Sequence, residues 1–368
     1  MFKTIVILLG FTLGLLSTPG QATTYYLDSV SGNDWHAGTA ATAAFKTLQT
    51  AGSNLYHPGD QILLKAGSVW TGETLEITTS GEPGDPIIVG SYGTGRRPIV
   101  DSVTNPNVIY LKDAYNVVVD GLTLQNGGGS LVIVEGGSDN TVQNCTLINA
   151  STFPIHVKNS PRFRFLNNTY ASTGTFKLYG DVLRAESQVS GITISGNTFT
   201  LNYASRVSAG IYIMDVDNAV ISGNRLSGGS QGIGIKGYTR NVTGAQIYGN
   251  IVAGIDNSGG GDGEAIELTG VDAGPWTVSG VVWNNNVYGG PYTKNAISAY
   301  RGTNIAAYFN FVKGPLLNAA FHWTTYSTGG DIHNNTIKGD ATKQIYVPHP
   351  FVVSSNSSAK IYNNTIIK

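Results

Sequence analysis

Several side chains in the middle of the chain are of types that carry proton-transfer chemistry. Lys236 is a candidate general base, because the like charges of Arg184 and Lys158 would lower its pKa. Tyr212 could donate a proton to a departing oxygen. A pair of carboxylates could instead provide an acid and a base. The candidate catalytic residues are therefore Lys236, Arg184, Tyr212, Glu267 and Asp215.

A second set of residues could bind a metal ion or a substrate. A glycine-rich stretch brings Asp262 and Glu264 close to Glu267, and carboxylate oxygens are ligands that Ca²⁺ prefers. The same three residues could equally form a solvated acidic turn, so a calcium cofactor is one of two interpretations. The candidate substrate-binding residues, which are polar or aromatic, are His156, Lys158, Glu186, Tyr300, Arg301 and Trp323.

A repeated pattern determines how these residues can be positioned. The pattern is apolar-x-(Gly/Asn)-Asn-x-apolar, and it recurs at intervals of 23 to 36 residues. Leu122 and Cys145 occupy the Asn position in two earlier copies. A unit of this size cannot bury its own apolar face, so the units must stack as coils. The repeated positions are Asn168, Asn197, Asn224, Asn250, Asn286, Asn310, Asn335 and Asn364.

This repeat predicts an all-β fold, a single-stranded right-handed parallel β-helix with three short strands in each coil. We expect the Asn to tolerate the left-handed bend between two strands, and its amide to hydrogen bond from coil to coil in a ladder. Cys145, the only cysteine, is expected to be a buried thiol within that ladder and not a catalytic one.

Alternation within the first strand of each coil predicts which side chains point outwards. Ile211, Ile233 and Ile266 are expected to face the core, and two outward columns carry most of the candidate residues. The first column is Val132, His156, Arg184, Tyr212, Gly234, Glu267, Ser298 and Phe321, and the second is Val134, Lys158, Glu186, Met214, Lys236, Thr269, Tyr300 and Trp323.

Composition and the N-terminus bound the domain organisation. The 368 residues include 48 Gly, only 12% are charged and the formal net charge is -1, which disfavours helix-rich folds and gives no attraction for nucleic acid. Residues 1–22 have the basic, apolar and small-residue regions of a cleaved signal peptide, so we expect a secreted or periplasmic protein without a membrane segment after cleavage. Residues 23–368 are expected to form one β-helix domain, with the cap and first coils at 23–101 and regular coils at 102–368.

The stretch Ala44–Leu55 carries apolar residues at near-helical spacing. The open end of a first coil presents unpaired strand edges and bare core. We therefore expect a short amphipathic helix over Ala44–Leu55 to cover that end.

The run from Tyr25 to Asp101 resembles the start of secreted right-handed β-helix proteins of the pectate-lyase-like superfamily. The motifs that carry the resemblance are Tyr25-Tyr26-x-Asp28, Phe45-Lys46-Thr47-Leu48, Pro58-Gly59-Asp60, Gly84-x-Pro86-Ile87 and Tyr92-Gly93. The resemblance covers the whole chain at the level of fold and the first quarter at the level of motifs. It implies a secreted β-helix that handles a polysaccharide, as lyases and glycoside hydrolases with this start do, without identifying the substrate.

The family includes several activities, and the residues leave them open. The Lys and Arg cluster favours a lyase that cleaves a uronate-containing polysaccharide by β-elimination, and a C5-epimerase would use much the same residues. An inverting glycoside hydrolase could use Asp215 and Glu267, two coils or roughly 10 Å apart. A non-catalytic solenoid could bind a glycan through aromatic side chains. In each case the expected partner is an extracellular, acidic polysaccharide, and the protein is expected to be a monomer or a weak oligomer.

Overall fold

The structure is a computed structural model that describes residues 21–103, 105–173, 180–186, 190–201, 209–258, 260–271, 274–339 and 347–367. The described residues form 36 β-strands, one α-helix and one 3-10 helix. Residues 1–20 of the predicted signal peptide lie outside them. No helix in the described ranges is long and apolar enough to cross a membrane.

The strands in chain order are β1 (Thr24–Leu27), β2 (Gln61–Lys65), β3 (Val69–Thr71), β4 (Leu75–Ile77), β5 (Ile87–Tyr92), β6 (Ile99–Asp101), β7 (Asn107–Lys112), β8 (Val117–Asp120), β9 (Thr123–Gly127), β10 (Ser130–Glu135), β11 (Thr141–Gln143), β12 (Thr146–Ala150), β13 (Ile155–Lys158), β14 (Arg164–Leu166), β15 (Thr169–Ala171), β16 (Leu183–Glu186), β17 (Thr193–Ser195), β18 (Thr198–Thr200), β19 (Ala209–Met214), β20 (Val220–Ser222), β21 (Arg225–Ser227), β22 (Gln231–Gly237), β23 (Val242–Tyr248), β24 (Ile251–Ala253), β25 (Glu264–Gly270), β26 (Val278–Trp283), β27 (Asn286–Tyr288), β28 (Asn295–Tyr300), β29 (Ala306–Tyr308), β30 (Phe311–Lys313), β31 (Ala319–Thr324), β32 (Gly330–His333), β33 (Thr336–Lys338), β34 (His349–Val353), β35 (Ala359–Tyr362) and β36 (Thr365–Ile367).

These strands form three parallel sheets that wrap one apolar core. Sheet 1 has 11 strands, from β4 through β7 and every third strand to β34, sheet 2 has 13, from β1 to β35, and sheet 3 has 12, from β3 to β36. From β2 onwards, successive strands belong to sheet 2, sheet 3 and sheet 1 in turn, so three strands make one coil. The predicted parallel β-solenoid is therefore confirmed.

The predicted orientation of side chains in sheet 1 is confirmed from β13 to β28. Ile211 pairs with Ile233, Ile233 with Ile266, and Ile266 with Ile297, and all four side chains are buried. Because side chains alternate, the residue after each isoleucine faces outwards.

The prediction is wrong by one residue in β10 and β31. Val132 pairs with Ile155, and Phe321 and Trp323 pair with Ile297 and Ala299, so all three face the core. β31 begins with three apolar residues, so its sequence does not show which of two alternating sets of side chains faces the core. Burial of two large aromatic rings decides between the two sets. The outward residues of β31 are consequently His322 and Thr324.

The predicted ladder runs along the corner between sheets 2 and 3. At Asn224, the backbone N–H and Nδ2 both donate to Oδ1 of Asn250, at 2.9 and 3.0 Å, and Nδ2 also donates to the Ile194 carbonyl at 2.8 Å. Cys145 takes one place, donating its backbone N–H to Asn168 Oδ1 at 2.8 Å, and burial raises the pKa of its thiol to about 12. The ladder consists of Cys145, Asn168, Asn197, Asn224, Asn250, Asn285, Asn310, Asn335 and Asn364.

Two details of the ladder differ from the prediction. The member between Asn250 and Asn310 is Asn285 and not Asn286. The left-handed backbone belongs to the residue before each ladder position, such as Gly223 at φ 63° and Phe309 at φ 53°. The bend and the hydrogen bonds are thus divided between two adjacent residues.

One α-helix, α1 (Leu48–Gly52), lies within the predicted Ala44–Leu55 and is much shorter, and the 3-10 helix is Ala41–Ala43. Leu48 and Ala51 are buried. A Cβ on Gly52 would come within 2.9 Å of the Glu76 carbonyl of β4, so α1 packs closely beside the first strand of sheet 1. Its role as a cap stays a prediction.

The ladder predicts a large difference between two adjacent asparagines. Asn285→Ala removes the acceptor of Asn250 N–H and Nδ2, and leaves buried carbonyls without a donor. We expect a loss of about 2–4 kcal/mol in the free energy of unfolding, measured by denaturant titration. Asn286→Ala is the matched control and should change stability by less than about 0.5 kcal/mol. Equal losses would show that the ladder position is assigned wrongly.

Candidate active site

A cleft lies on the outward face of sheet 1, bordered by segments 180–181 and 260–262. Its volume is about 370 Å³. A Cβ on Gly261 would come within 2.3 Å of the Ser230 Cβ, so only glycine allows this close approach of the second segment. The lining residues are Phe153, Gly180, Asp181, Arg184, Ala209, Tyr212, Ser230, Gln231, Lys236, Gly260, Gly261 and Asp262.

A larger cavity of about 700 Å³ lies beside α1 and β4. Among the residues that the structure describes, its charged lining residues are Glu73 and Glu76, and no basic or aromatic side chain lines it. Glu73 Oε2 is already engaged, because it accepts the Leu48 N–H at 2.7 Å at the start of α1. We therefore assign the candidate site to the smaller cleft, where acids, bases and aromatic rings converge.

Arg184 is held rigidly at one side of the cleft. Its Nη1 donates to Asp181 Oδ2 and its Nε donates to Glu186 Oε2, both at 3.1 Å. The guanidinium carbon lies 5.3 Å from the Phe153 ring centroid and 5.0 Å from that of Tyr212. The two carboxylates and two rings orient Arg184 and neutralise most of its charge.

His156 extends this network towards the preceding coil. Its Nε2 lies 2.8 Å from Glu186 Oε1, and its ring packs against Phe153 at 4.8 Å. Burial lowers the pKa of His156, although the Glu186 hydrogen bond opposes that effect. Lys158 lies beside this group, outward on β13 and half-buried.

Lys236 lies among acidic groups and a phenol. Burial alone would lower the pKa of its amine, but a hydrogen bond to Tyr212 and the carboxylates of Glu267 and Asp262 outweigh burial and raise it. Its Nζ is 5.3 Å from the Tyr212 ring centroid. The predicted lowering of the pKa of Lys236 is therefore wrong, because Arg184 is paired with its own carboxylates and contributes little repulsion.

Glu264 and Glu267, both on β25, have raised pKa values. Burial, together with the charge of Glu267, raises the pKa of Glu264 to about 7. Burial also raises the pKa of Glu267, with Asp262 adding to the effect and Lys236 opposing it. Glu267 Oε2 accepts the Gln231 Nε2 amide at 2.6 Å. One coil beyond the cleft lining, both carboxyls bind a proton more readily than an ordinary glutamate, because burial disfavours their charged forms.

Asp215 does not belong to this group. It has a left-handed backbone at φ 56°, and its Oδ1 accepts the N–H groups of Tyr238 and Thr239 at 2.6 and 3.0 Å. Oδ2 accepts the Thr239 hydroxyl at 2.6 Å. The carboxylate holds the turn after β22, so it is already engaged there, and its pairing with Glu267 stays a prediction.

Other predicted residues are dispersed. Trp323 is 1% exposed in the core, which removes it from the substrate-binding set. Arg301 has a left-handed backbone and its guanidinium lies 5.4 Å from the Tyr326 ring centroid, at the end of β28. Tyr300 faces outwards on β28 and is half-buried, two coils beyond Lys236.

Five residues of the site escaped the sequence analysis, and most share one position. Asp181, Gln231 and Asn295 stand two places before the first inward residue of their strands, as does Glu264. They form a third column at the start of sheet 1. By alternation this place has the inward phase of Ile233 and Ile266, so the sequence pattern predicts core residues there and could not have revealed it. Phe153 lies in a turn without a repeat signal, and the error of register in β31 hid His322.

The predicted calcium ligands do not form a metal site as they stand. Among the residues that the structure describes, no three or more His, Cys, Asp or Glu side chains converge to hold an ion. Glu264 Oε1 and Glu267 Oε2 instead accept amide N–H groups. Raised carboxyl pKa values also oppose the deprotonated state that ligands need. Calcium binding stays a prediction.

The chain matches one family model and part of one curated relative. The model described as right handed beta helix region matches residues 107–312, which is more than half of the chain. A lacto-N-biosidase of Bifidobacterium longum subsp. longum is 34% identical over 91 residues, which are 23% of this chain. The chain spans about 6% of the length of that relative.

Solved structures share the fold at low identity. A lacto-N-biosidase of glycoside hydrolase family GH136 from Eubacterium ramulus superposes with a TM-score of 0.69 and 13% identity, over 94% of this chain and 68% of that one. An alginate lyase from Paenibacillus sp. str. FPU-7 superposes with a TM-score of 0.52 and 15% identity, over 76% of this chain and 96% of that one. These likenesses concern the fold.

The raised pKa of Glu264 predicts a pH-dependent loss of stability. Between the ordinary value of 4.5 and about 7, the folded protein keeps a proton that the unfolded chain has lost, so stability falls as pH rises through this window. Glu264→Gln keeps the acceptor for Asn295 but does not titrate. We expect the free energy of unfolding of this variant, relative to that of the wild type, to be about 3 kcal/mol larger at pH 8 than at pH 4. Denaturant titrations of both proteins at each pH measure the difference, and parallel pH profiles would contradict it.

Proposed function

Because the chain belongs to the right-handed β-helix family, we propose that it is an enzyme that hydrolyses glycosidic bonds of an extracellular polysaccharide in the cleft on sheet 1. The relatives support a carbohydrate substrate, since they include a lacto-N-biosidase and an alginate lyase. The protein would act outside the cytoplasm, in agreement with the predicted signal peptide, as a monomer or weak oligomer.

The observation that carries this proposal is a pair of carboxyl groups in different environments. Glu267 is half-buried and its pKa is raised. Asp262 is exposed and lines the cleft, close enough to raise the pKa of Glu267 by its charge. Glycosidic hydrolysis needs one carboxyl that keeps a proton and one that does not.

In this mechanism Glu267 is the general acid. The Gln231 amide donates to Glu267 Oε2, which leaves Oε1 as the oxygen that carries the proton. That proton passes to the glycosidic oxygen as its bond to the anomeric carbon breaks. The Asp262 carboxylate takes a proton from a water molecule that attacks the anomeric carbon, or it attacks that carbon itself. In the second case water, deprotonated by the Glu267 carboxylate, then breaks the bond between Asp262 and the sugar. Lys236 stabilises the negative charge that remains on Glu267 after the transfer.

The remaining cleft residues suit the binding of a chain of sugars. Coils repeat at about 4.8 Å, so outward columns meet successive parts of an extended polymer. Phe153 and Tyr212 offer aromatic surface beside the anchored Arg184. His156 and Lys158 continue the outward face on one side of the cleft, and Tyr300 on the other.

A second candidate is β-elimination of a uronate polymer, or C5-epimerisation by the same residues. It is favoured by the Lys236 and Tyr212 pair, which lines the cleft as a cation next to a phenol. The raised pKa of Lys236 makes it a poor base at neutral pH, so we rank this reaction second. Unsaturated products distinguish elimination from hydrolysis.

We expect wild-type protein to release reducing ends from at least one member of a panel of alginate, pectate, chondroitin and neutral glycans, without ultraviolet absorbance from unsaturated sugars. Glu267→Gln and Asp262→Asn should each lower kcat by about 10²-fold or more, because each removes a proton-transfer or nucleophilic group. Lys236→Ala should also lower kcat, because Lys236 stabilises the charge that forms on Glu267 as its proton leaves. Parallel assays with EDTA test the predicted calcium requirement.

Two variants serve as controls. Asp256→Asn alters the same long turn, where the carboxylate accepts the Ser258 N–H, and should keep full turnover. Asp215→Asn should lower the melting temperature but keep the turnover of the folded protein. Unsaturated products that depend on Lys236 and not on Glu267 would replace hydrolysis by elimination, and glycan binding without any cleavage would leave a non-catalytic solenoid.

A further inference from the structure

His322 lies on the cleft sheet beyond the acid and outside the cavity described above. Glu267 pairs with Ser298, and Ser298 pairs with His322, so the three share one outward column. His322 is therefore two coils, or roughly 10 Å, from Glu267. Its side chain is half-buried, which leaves part of the imidazole at the surface.

The orientation of the neighbouring Asn295 amide is unambiguous. Its Oδ1 accepts the Ala319 backbone N–H at 3.0 Å and the Asn318 Nδ2 amide at 2.9 Å. A backbone N–H can only donate, so the atom facing it must be the amide oxygen. Nδ2 consequently points the other way, donating to Glu264 Oε1 at 2.9 Å and facing His322 Nδ1 at 3.3 Å.

This orientation determines the protonation of His322. An amide nitrogen donates and does not accept, so Nδ1 must accept and cannot carry a proton. A neutral imidazole with a bare Nδ1 carries its proton on Nε2. Burial and the charge of Lys294 both lower the pKa of His322, in agreement with the neutral form.

We propose that Asn295 is a positioning residue that holds His322 as the Nε2–H tautomer, and that this N–H binds an oxygen of the glycan at a subsite beyond Glu267. The ligand atom must be an acceptor, either a sugar hydroxyl or a carboxylate oxygen, because Nε2–H can only donate. Asn295 donates its second N–H to Glu264, so one amide links the His322 subsite to a buried glutamate of β25. The glycan ligand rests on the proposed function, whereas the tautomer does not.

The tautomer is tested by nitrogen NMR of the full chain with labelled histidine, with the His322 resonances assigned from His322→Gln. We expect a protonated Nε2 and a bare Nδ1 at neutral pH. Asn295→Asp replaces the donor at Nδ1 by an acceptor and should move the proton to Nδ1 or give the imidazolium. Should Asn295→Asp fail to fold, a wild-type His322 with Nδ1–H or in the charged form would by itself overturn the assignment.

The subsite is tested by calorimetric binding of short and long oligogalacturonates, alginate oligosaccharides and cello-oligosaccharides to the Glu267→Gln protein. Adding His322→Ala should weaken binding of the long chains by about 3- to 10-fold and leave the short ones unchanged. His322→Gln, whose amide N–H approximates Nε2–H, should restore most of the affinity, and Thr324→Ala is the matched control on the same strand. A loss limited to uronates identifies a carboxylate oxygen, and a loss on neutral chains too identifies a hydroxyl.

The His322 subsite and the hydrolytic role of Glu267 are tested by different measurements, so one can fail without the other. Unchanged binding of every long chain by the His322→Ala variant would overturn the subsite, whatever the activity. A fully active Glu267→Gln protein would overturn the proposed acid, yet the histidine spectrum and the chain-length effect would still decide the role of His322.

Discussion

Hydrogen bonds between stacked asparagine amides hold each coil at a fixed place over the one before it, and the rest of the structure depends on this alignment. Each interior amide is buried and donates or accepts at 2.8 to 3.1 Å. A one-residue slip in any coil would leave several buried polar groups without partners. The sheets are thereby kept in register, and outward side chains from distant parts of the sequence line up in columns.

The candidate site arises where three such columns meet acidic turns. Asp181 and Glu186 each accept one N–H of Arg184, so these two ion pairs fix its guanidinium in the cleft wall. Lys236 is then the cation that balances the acidic group around it. Burial without a full set of cationic partners explains why the pKa values of both glutamates of β25 are raised.

Much of the fold could be predicted from the sequence, because the repeat reports the coil directly. The ladder follows from the spacing of the Asn residues. Alternation within the strands of sheet 1 from β13 to β28 predicts which of their side chains face the core. The phase of β31 could not be predicted, since Phe321 and Trp323 lie among apolar neighbours and only packing chooses between two faces. The role of Asp215 was missed because a carboxylate that holds a turn and one that does chemistry look alike in sequence. The pKa of Lys236 depends on which charges are already paired, which requires coordinates.

The coils differ in length, and the ladder bonds do not. The step from Asn224 to Asn250 spans 26 residues and the step from Asn250 to Asn285 spans 35, yet the bonds are 2.9 and 3.0 Å. Much of the extra length lies between β24 and β25, where it forms the wall that carries Asp262. A change in the length of this one turn would therefore reshape the wall of the cleft and leave the spacing of the ladder as it is.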